Sequence, residues 1–176
     1  MLPRCFRPPT LQSLYCRSFV TSATAGTDTA FWNDTEPTTS VITIGTEGRV
    51  NQSTGTYVGY VWHNVEGYSK FGTYEGNGNA NGSFIYTGFR PKMLFVKSAD
   101  SSDDWVTIDT ARSTYNVTNA GQSWNLDSQE TTSNRECDIL SNGFKMRTSN
   151  SNVNKDNTTY IFGAWADVPF KYNNAR

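Results

Sequence analysis

Residues 153–165 read VNKDNTTYIFGAW, and residues 50–62 read VNQSTGTYVGYVW. Five of the thirteen positions are identical without a gap, Val58 returns as Ile161, and each matched pair lies 103 residues apart. Both stretches contain the β-branched and aromatic residues that are typical of β-strands. This agreement predicts an internal repeat, and a repeat changes which part of the chain counts as one folding unit.

The composition of the 176-residue chain favours strands and excludes some partners. It is rich in aromatic residues, with 9 Tyr, 10 Phe and 5 Trp, and Asn, Ser, Thr and Gly supply much of the rest. The small polar residues compete poorly inside helices, whereas the aromatics can form a core. A net charge of -1 gives no basic surface for nucleic acid, and apolar runs such as residues 93–96 are too short to cross a bilayer. We therefore expect one domain that neither binds nucleic acid nor inserts into a membrane.

Short segments of strand type follow one another from residue 31 onward. We predict strands at 40–44, 49–50, 56–62, 71–74, 83–86, 93–97, 105–109, 124–126, 144–147 and 159–165. The Gly/Asn-rich residues 75–82 are interpreted as a hairpin turn, and Pro91 as a strand edge. Only residues 109–116 could form a helical turn. This spacing predicts an all-β fold, an antiparallel two-sheet sandwich of jelly-roll or concanavalin-like type.

The repeat also predicts how the chain is divided. Residues 72–176 would form a complete sandwich unit, and residues 29–71 would be the closing half of a preceding unit. Alternatively, residues 29–71 complete the later sandwich, so that 29–176 form one compact domain. Residues 1–28 carry several arginines before their first acid, Asp28. They are interpreted as a disordered tail, a transit peptide or a spurious start, and are excluded from the fold.

Catalytic and zinc-binding patterns are missing from the sequence. No predicted strand carries two carboxylates on one face, as glycoside hydrolysis would need, and His63 is the only histidine. The cysteines, Cys5, Cys16 and Cys137, lack the spacing of a metal site. We interpret them as one buried thiol and two incidental ones, with a Cys5–Cys16 bridge as the alternative. We therefore expect that the protein is not an enzyme and that His63 is an ordinary surface residue.

One acidic loop is a weak calcium candidate. Residues 100–104 read DSSDD, and Asp100, Asp103 and Asp104 offer the oxygen ligands that Ca²⁺ prefers. The loop lacks the glycine and the terminal glutamate of an EF-hand, and a polar hairpin turn explains it equally well. No other cofactor is expected.

Two tryptophans are candidates for carbohydrate binding. Strand alternation places Trp105 on the face opposite Val106 and Ile108, so Trp105 is predicted to be half exposed beside the acidic loop. Trp124 lies in a polar stretch and is the second candidate. An exposed aromatic ring can stack on the apolar face of a pyranose, with hydrogen bonds from the polar neighbours Asp103, Asp104 and Asn125. Packing in the hydrophobic core is the alternative for both rings.

Five stretches carry a resemblance to a known kind of protein. They are residues 31–45 (FWNDTEPTTSVITIG), 66–105 (EGYSKFGTYEGNGNANGSFIYTGFRPKMLFVKSADSSDDW), 109–116 (DTARSTYN), 140–149 (LSNGFKMRTS) and 157–176 (NTTYIFGAWADVPFKYNNAR). These stretches are similar in sequence to repeats in an uncharacterised domain family of mainly marine bacteriophage virion proteins, often described as tail or tail-fibre proteins. The resemblance covers roughly residues 29–176. The resemblance implies strings of such units and a lectin-like sandwich, and it brings no catalytic residues.

These observations together predict a phage virion structural protein. We expect a tail-fibre or tail module that binds glycans on the host surface; the alternatives are a stand-alone lectin-like carbohydrate-binding module or a capsid decoration protein. The expected partners are other virion proteins, copies of the chain itself and bacterial surface polysaccharide. The expected location is the exterior of the virion, after synthesis in the host cytoplasm.

Overall fold

Eight β-strands form the structure, a computed structural model that describes residues 29–33 and 35–168. The strands are β1 Ser69–Glu75, β2 Phe84–Tyr86, β3 Pro91–Ser98, β4 Val106–Asp109, β5 Gly121–Ser123, β6 Cys137–Leu140, β7 Gly143–Met146 and β8 Thr159–Ala166. Two four-residue helices precede them, α1 Thr29–Trp32 and α2 Gly48–Asn51. The FKYNNAR tail and the segment 1–28 lie outside the described residues. The described part has no helix that is long and apolar enough to span a membrane.

The strands form two antiparallel sheets that pack against each other. The larger sheet has the order β1-β8-β3-β4-β5, and the smaller one has the order β2-β7-β6. Alternate residues of both sheets point inward and form the main core, which includes Leu94, Val106, Phe144 and Phe162. The predicted antiparallel sandwich is therefore confirmed.

Strand β8, the strand part of the second repeat, lies inside the larger sheet. It pairs with β1 on one side and with β3 on the other. Tyr160 and Phe162 face the main core, while Ile161 joins a second cluster on the outer face of the sheet. Gly163 lies between rings on that outer face, and a Cβ there would come within 2.9 Å of the Phe71 ring. Both faces of β8 are therefore buried.

The loop at residues 75–82 does not close a hairpin, which corrects that prediction. It carries the chain from β1 in one sheet to β2 in the other. The buried Asn154 side chain holds the loop, because its Nδ2 donates to Asn77 Oδ1 (3.1 Å) and to the Asn79 carbonyl (2.9 Å). Gly78, with φ of +60°, packs against Asp156, and this conformation suits glycine.

Several strand predictions are confirmed, and the errors have identifiable causes. The predictions at 71–74, 83–86, 93–97, 105–109, 144–147 and 159–165 coincide with β1, β2, β3, β4, β7 and β8. Pro91 begins β3, where its missing N–H does no harm. The prediction at 124–126 is wrong, because the short strand β5 ends at Ser123. Strand β6 was missed; it forms a hairpin with β7 through the two-residue turn Ser141-Asn142.

The two repeats build the same local turn. The N–H of Asn51 donates to the Glu47 carbonyl (2.9 Å), and the N–H of Asn154 donates to the Asn150 carbonyl (2.8 Å). Each asparagine also donates its side-chain Nδ2 to the carbonyl six residues earlier, at 2.7 Å in the first repeat and 2.8 Å in the second. The first of these turns is the helix α2, which replaces the strand predicted at 49–50.

The tyrosines of the two repeats close this turn in the same way. The Tyr57 phenol accepts a hydrogen bond from the backbone N–H five residues earlier and donates to the carbonyl nine residues earlier. The Tyr160 phenol makes the same two contacts with the residues five and nine positions before it. The sequence repeat is therefore a structural repeat up to these tyrosines.

Beyond Tyr57 the two repeats differ. Residues 56–62, which we call the strand-like segment, form no strand, and residues 40–44 form none either. Both strand predictions are wrong. Strand β8 is held between β1 and β3, whereas the described residues provide no neighbouring strands for the strand-like segment. A strand sequence forms a strand only where a neighbour satisfies its backbone groups.

The segment 109–116 forms a turn instead of a helix. Asp109 ends β4, and its Oδ1 accepts the N–H groups of Ala111 (3.0 Å) and Arg112 (2.9 Å). The Arg112 guanidinium bridges Asp109 Oδ2 and Glu130 Oε2, each at 2.6 Å. Burial alone would raise the pKa of Asp109, but the hydrogen bonds and charge of Arg112 and the Ala111 N–H outweigh it. The pKa of Asp109 is therefore below its usual 3.8.

Cys137 is buried in the main core and is a free thiol within the part of the chain that the structure describes. Burial raises the pKa of its thiol, which keeps the thiol protonated and unreactive. The interpretation of one buried thiol is confirmed, while Cys5 and Cys16 lie outside the described residues.

We expect Asp109→Asn to destabilise the protein in a pH-dependent manner. Asparagine keeps the Oδ1 acceptor but loses the charge, so the free energy of unfolding should fall by about 1 kcal/mol at neutral pH. Because the folded pKa is lowered, the contribution of the charge is complete above pH 3.8 and is lost as the pH falls through the folded value. Urea unfolding from pH 7 to pH 2 would measure this, with the exposed Asp127→Asn as control. A difference between wild type and Asp109→Asn that does not change with pH would contradict the assignment.

Candidate functional site

Trp124 is the best exposed aromatic candidate of the predicted site. It follows β5 directly, and its N–H donates to the Trp105 carbonyl (2.9 Å), which extends the β4–β5 pairing by one residue. Its indole packs on the Phe95 ring with 4.9 Å between the ring centroids. It nevertheless remains 43% exposed. The predicted exposure of Trp124 is confirmed.

Trp105 is 1% exposed, so the prediction that it is half exposed is wrong. Alternation correctly placed it on the outer face of the larger sheet, opposite Val106 and Ile108. That face, however, carries a second aromatic cluster, in which the Phe95 ring lies 5.2 Å from Trp105. The buried Lys97 ammonium lies 5.9 Å from the centre of the Trp105 ring. Trp105 therefore packs against Phe95, which in turn contacts Trp124, and it offers no stacking face to solvent.

Asp104 and Asn125, both predicted to accompany a sugar, are joined to each other. Asn125 Nδ2 donates to Asp104 Oδ1 (3.0 Å), and Asn125 Oδ1 accepts the N–H of Trp105 (2.8 Å). The N–H of Asp104 donates to Asn152 Oδ1 (2.8 Å). These bonds fix the start of β4 against the end of β5, and thereby fix the backbone that carries Trp124.

A residue that sequence reasoning missed, Arg135, completes this network. Its side chain is 9% exposed, and its Nη2 donates to Ser123 Oγ (2.7 Å) and lies 3.4 Å from Asp104 Oδ2. Burial lowers the pKa of Arg135, and the Asp104 charge partly offsets this effect. The guanidinium remains charged, so Asp104 is the counterion of a buried cation. The alkyl part of Arg135 crosses Gly121, where a Cβ would lie 2.3 Å from its Cδ. No short sequence motif predicts the contacts of Arg135, because they join distant parts of the chain.

The other acidic candidates are also engaged within the protein. Asp100 Oδ2 accepts the N–H of Thr159 (2.6 Å) at the start of β8. Asp103 accepts hydrogen bonds from the hydroxyls of Ser101 and, at 2.9 Å, Ser151. Burial above all, together with the charges of Asp103 and Asp100, raises the pKa of Tyr160 to about 12. The three loop aspartates hold backbone and side-chain donors, and residues 29–33 and 35–168 contain no group of three His, Cys, Asp or Glu side chains that could hold a metal ion.

Trp124 and Gln122 form the accessible part of the site. They lie two residues apart at the end of β5, so both side chains point to the outer face of the larger sheet. Gln122 is exposed, and it lies opposite Thr107 in the register of β4 and β5. An exposed ring beside an exposed amide can supply a stacking surface and hydrogen bonds to a neutral polar ligand. His63, by contrast, is an exposed residue whose Nδ1 lies 2.9 Å from the Asn64 carbonyl oxygen.

Comparison with known protein families assigns most of the chain. Residues 12–169 match the family described as Domain of unknown function (DUF7483). The chain belongs to the DUF7483 family. No curated protein and no solved structure matches it. The DUF7483 match spans both sides of the boundary predicted between residues 71 and 72, and it begins inside the segment 1–28 that the sequence had set apart.

We expect Asp104→Ala to destabilise this DUF7483 protein strongly, because it leaves the buried Arg135 cation without a counterion. The cost should be about 3 kcal/mol in the free energy of unfolding. Asp103→Ala removes an acceptor of neutral hydroxyls and should cost about 1 kcal/mol. Urea denaturation would measure both values.

The double variant Asp104→Ala/Arg135→Met provides the control. Methionine keeps an unbranched side chain across Gly121 and removes the charge, so much of the lost stability should return. Additive losses in the double variant would show that Arg135 does not depend on Asp104.

Proposed function

We propose that this chain is a structural protein of a bacteriophage virion, a tail or tail-fibre module that contacts glycans on the host surface. It would act on the exterior of the particle after synthesis in the host cytoplasm, with other virion proteins and copies of itself as partners. The role requires no catalysis and no cofactor. Membership of the DUF7483 family adds no activity to this proposal, since the family is one of unknown function.

The observation that carries the virion role is the internal repeat. The same turn, with the same asparagine and tyrosine hydrogen bonds, is built twice at a spacing of 103 residues. Duplicated units of this kind are the building principle of modular arrays, in which each unit contacts its neighbours. The resemblance of residues 29–176 to repeats of phage virion proteins points to the same kind of assembly.

The observation that favours glycan binding is the position of Trp124. Its ring is held by Phe95 from below and keeps nearly half of its surface in contact with solvent. A rigid, half-exposed indole is suited to stack on a pyranose, and Gln122 on the same face can bond to its hydroxyls. The exposed residues of the site, Trp124 and Gln122, are uncharged, and Asp104 and Arg135 compensate each other beneath them. A neutral or weakly charged polysaccharide is therefore the ligand class that we propose.

A second candidate function rests on the same tryptophan. A stand-alone lectin-like carbohydrate-binding module would use Trp124 in the same way but would not be part of a particle. A capsid decoration protein, the third possibility, would differ only in its location on the head.

We expect mass spectrometry of purified phage particles to find this chain as a stoichiometric component. Immunogold labelling would then assign it to the tail or to the head. If the particles lack the chain while the purified protein binds glycans, the stand-alone lectin is the correct function. If the particles lack it and no glycan binds, both candidates fail.

For glycan binding, we expect Trp124→Ala to weaken the binding of the full chain to a bacterial surface polysaccharide by about 10-fold or more. Trp124→Phe keeps a stacking face and should retain weaker binding. Tyr115→Ala, which removes a well-exposed ring elsewhere, should leave the affinity unchanged. Glycan arrays followed by calorimetry would measure these affinities, with circular dichroism to verify the fold. Equal affinity of Trp124→Ala and wild type would exclude Trp124 as the platform.

A further inference from the structure

The strand-like segment, residues 56–62, exposes side chains that its repeat partner buries. Val58 is 77% exposed and Tyr60 is 73% exposed, and Tyr57 and Val61 are exposed as well. In the second repeat, Ile161 replaces Val58 and is 3% exposed, and Tyr160 is fully buried. The segment therefore carries the sequence of an interior strand on the surface of the molecule.

Both ends of the segment are already fixed. At its beginning, the turn and the Tyr57 phenol reproduce the geometry that starts β8. At its end, the Trp62 ring meets Trp165 edge-on with 6.2 Å between the centroids, and Tyr60 stacks on Trp62 at 6.1 Å. Little chain entropy remains to be lost between these anchors when a neighbouring strand arrives.

Some backbone groups at the two outer edges of the larger sheet, β1 and β5, already have hydrogen-bond partners and are not available to pair with the strand-like segment. On β1, the N–H of Ser69 donates to the Val65 carbonyl (2.9 Å), and the N–H of Phe71 donates to Asn64 Oδ1 (2.7 Å). On β5, Gly121 exchanges both backbone hydrogen bonds with Thr131. Such local caps are how proteins prevent unwanted strand addition at sheet edges.

The strand-like segment carries none of these protections. Residues 50–62 contain no charged residue and no proline, and they alternate valine and tyrosine around Gly59. Charged side chains and prolines are the usual features that prevent an unpaired strand from pairing with another chain. Because the segment is uncharged, two of these segments do not repel each other. A second copy of the chain meets these requirements, because its own residues 56–62 are equally apolar, uncharged and free of proline.

We propose that the strand-like segment is a self-association site, at which residues 56–62 of two molecules pair as antiparallel strands across a two-fold axis. A two-fold axis brings identical segments together in antiparallel orientation. With the axis at Gly59, Val58 of each molecule lies opposite Tyr60 of the other, and Tyr57 lies opposite Val61. Aromatic and β-branched residues are favourable cross-strand pairs. The proposal rests on this segment and is independent of Trp124.

The first test is the oligomeric state of the full chain by sedimentation velocity and light scattering. We expect a species of twice the 19.6 kDa chain mass, with a dissociation constant in the micromolar range. A purely monomeric protein up to about 100 µM would overturn the proposal. Glycan binding by that monomer would leave the proposed function intact, so the two failures are distinguishable.

Charge variants test which residues pair. Val58→Lys/Tyr60→Lys places like charges opposite each other and should weaken self-association about 100-fold. Val58→Glu/Tyr60→Glu should do the same, whereas a mixture of the two variants should form a mixed dimer. Both positions are largely exposed, so the fold should persist, as circular dichroism would verify. Tyr115→Lys, at an exposed site elsewhere, is the control that should stay dimeric. A dimer that survives either double variant would overturn the proposal.

A cross-link tests the register. Nothing lies within 4 Å of a Cβ built on Gly59, so Gly59→Cys fits the isolated molecule. In a chain that also carries Cys5→Ser and Cys16→Ser, two Cys side chains at the axis are close enough for a disulfide. Oxidation should yield a covalent dimer, and a Cys introduced at Tyr115 should yield far less. Equal yields at the two positions would show that residue 59 does not lie at the contact.

Discussion

The fold depends on the pairing of β8 with two neighbours at once. Its eight residues are bonded to β1 on one side and β3 on the other, and its side chains enter the cores on both faces of the sheet. The preceding turn fixes where the strand begins, because the Tyr160 phenol and the Asn154 side chain form hydrogen bonds with its backbone groups. Asn154 also holds the loop that carries the chain to the smaller sheet. One segment therefore connects both sheets.

The first repeat shows which part of this arrangement depends on local sequence and which part depends on neighbouring strands. Its turn has the hydrogen bonds of the second repeat, although it lies in a different part of the molecule. Local sequence is thus sufficient for the turn. The strand that should follow is absent, since its hydrogen bonds would have to come from other segments. The two repeats act as a natural control experiment: similar residues, with and without neighbouring strands.

This contrast explains how much of the fold the sequence predicts. Alternating side chains identified β1, β2, β3, β4, β7 and β8, because each of them has at least one buried face. The same pattern at residues 40–44 and 56–62 gave false strands, since periodicity measures suitability for a sheet and not the presence of neighbours. Strand β6 escaped prediction because it is short and partly polar, and the Ser141-Asn142 turn that follows it carries no strong hairpin signal.

The candidate site was also only partly predictable from the sequence. Alternation placed Trp105 on the correct face of β4 but could not reveal what covers that face, since Phe95 and Trp124 come from other strands and loops. The Trp124 ring, which packs on Phe95, is the one that reaches solvent. Polarity around a tryptophan was a sound guide for Trp124 and a poor one for Trp105, whose polar neighbour Asp104 serves the buried Arg135. Where polar residues have such internal partners, their presence beside an aromatic ring says little about a ligand, and the exposed area of the ring is the better criterion.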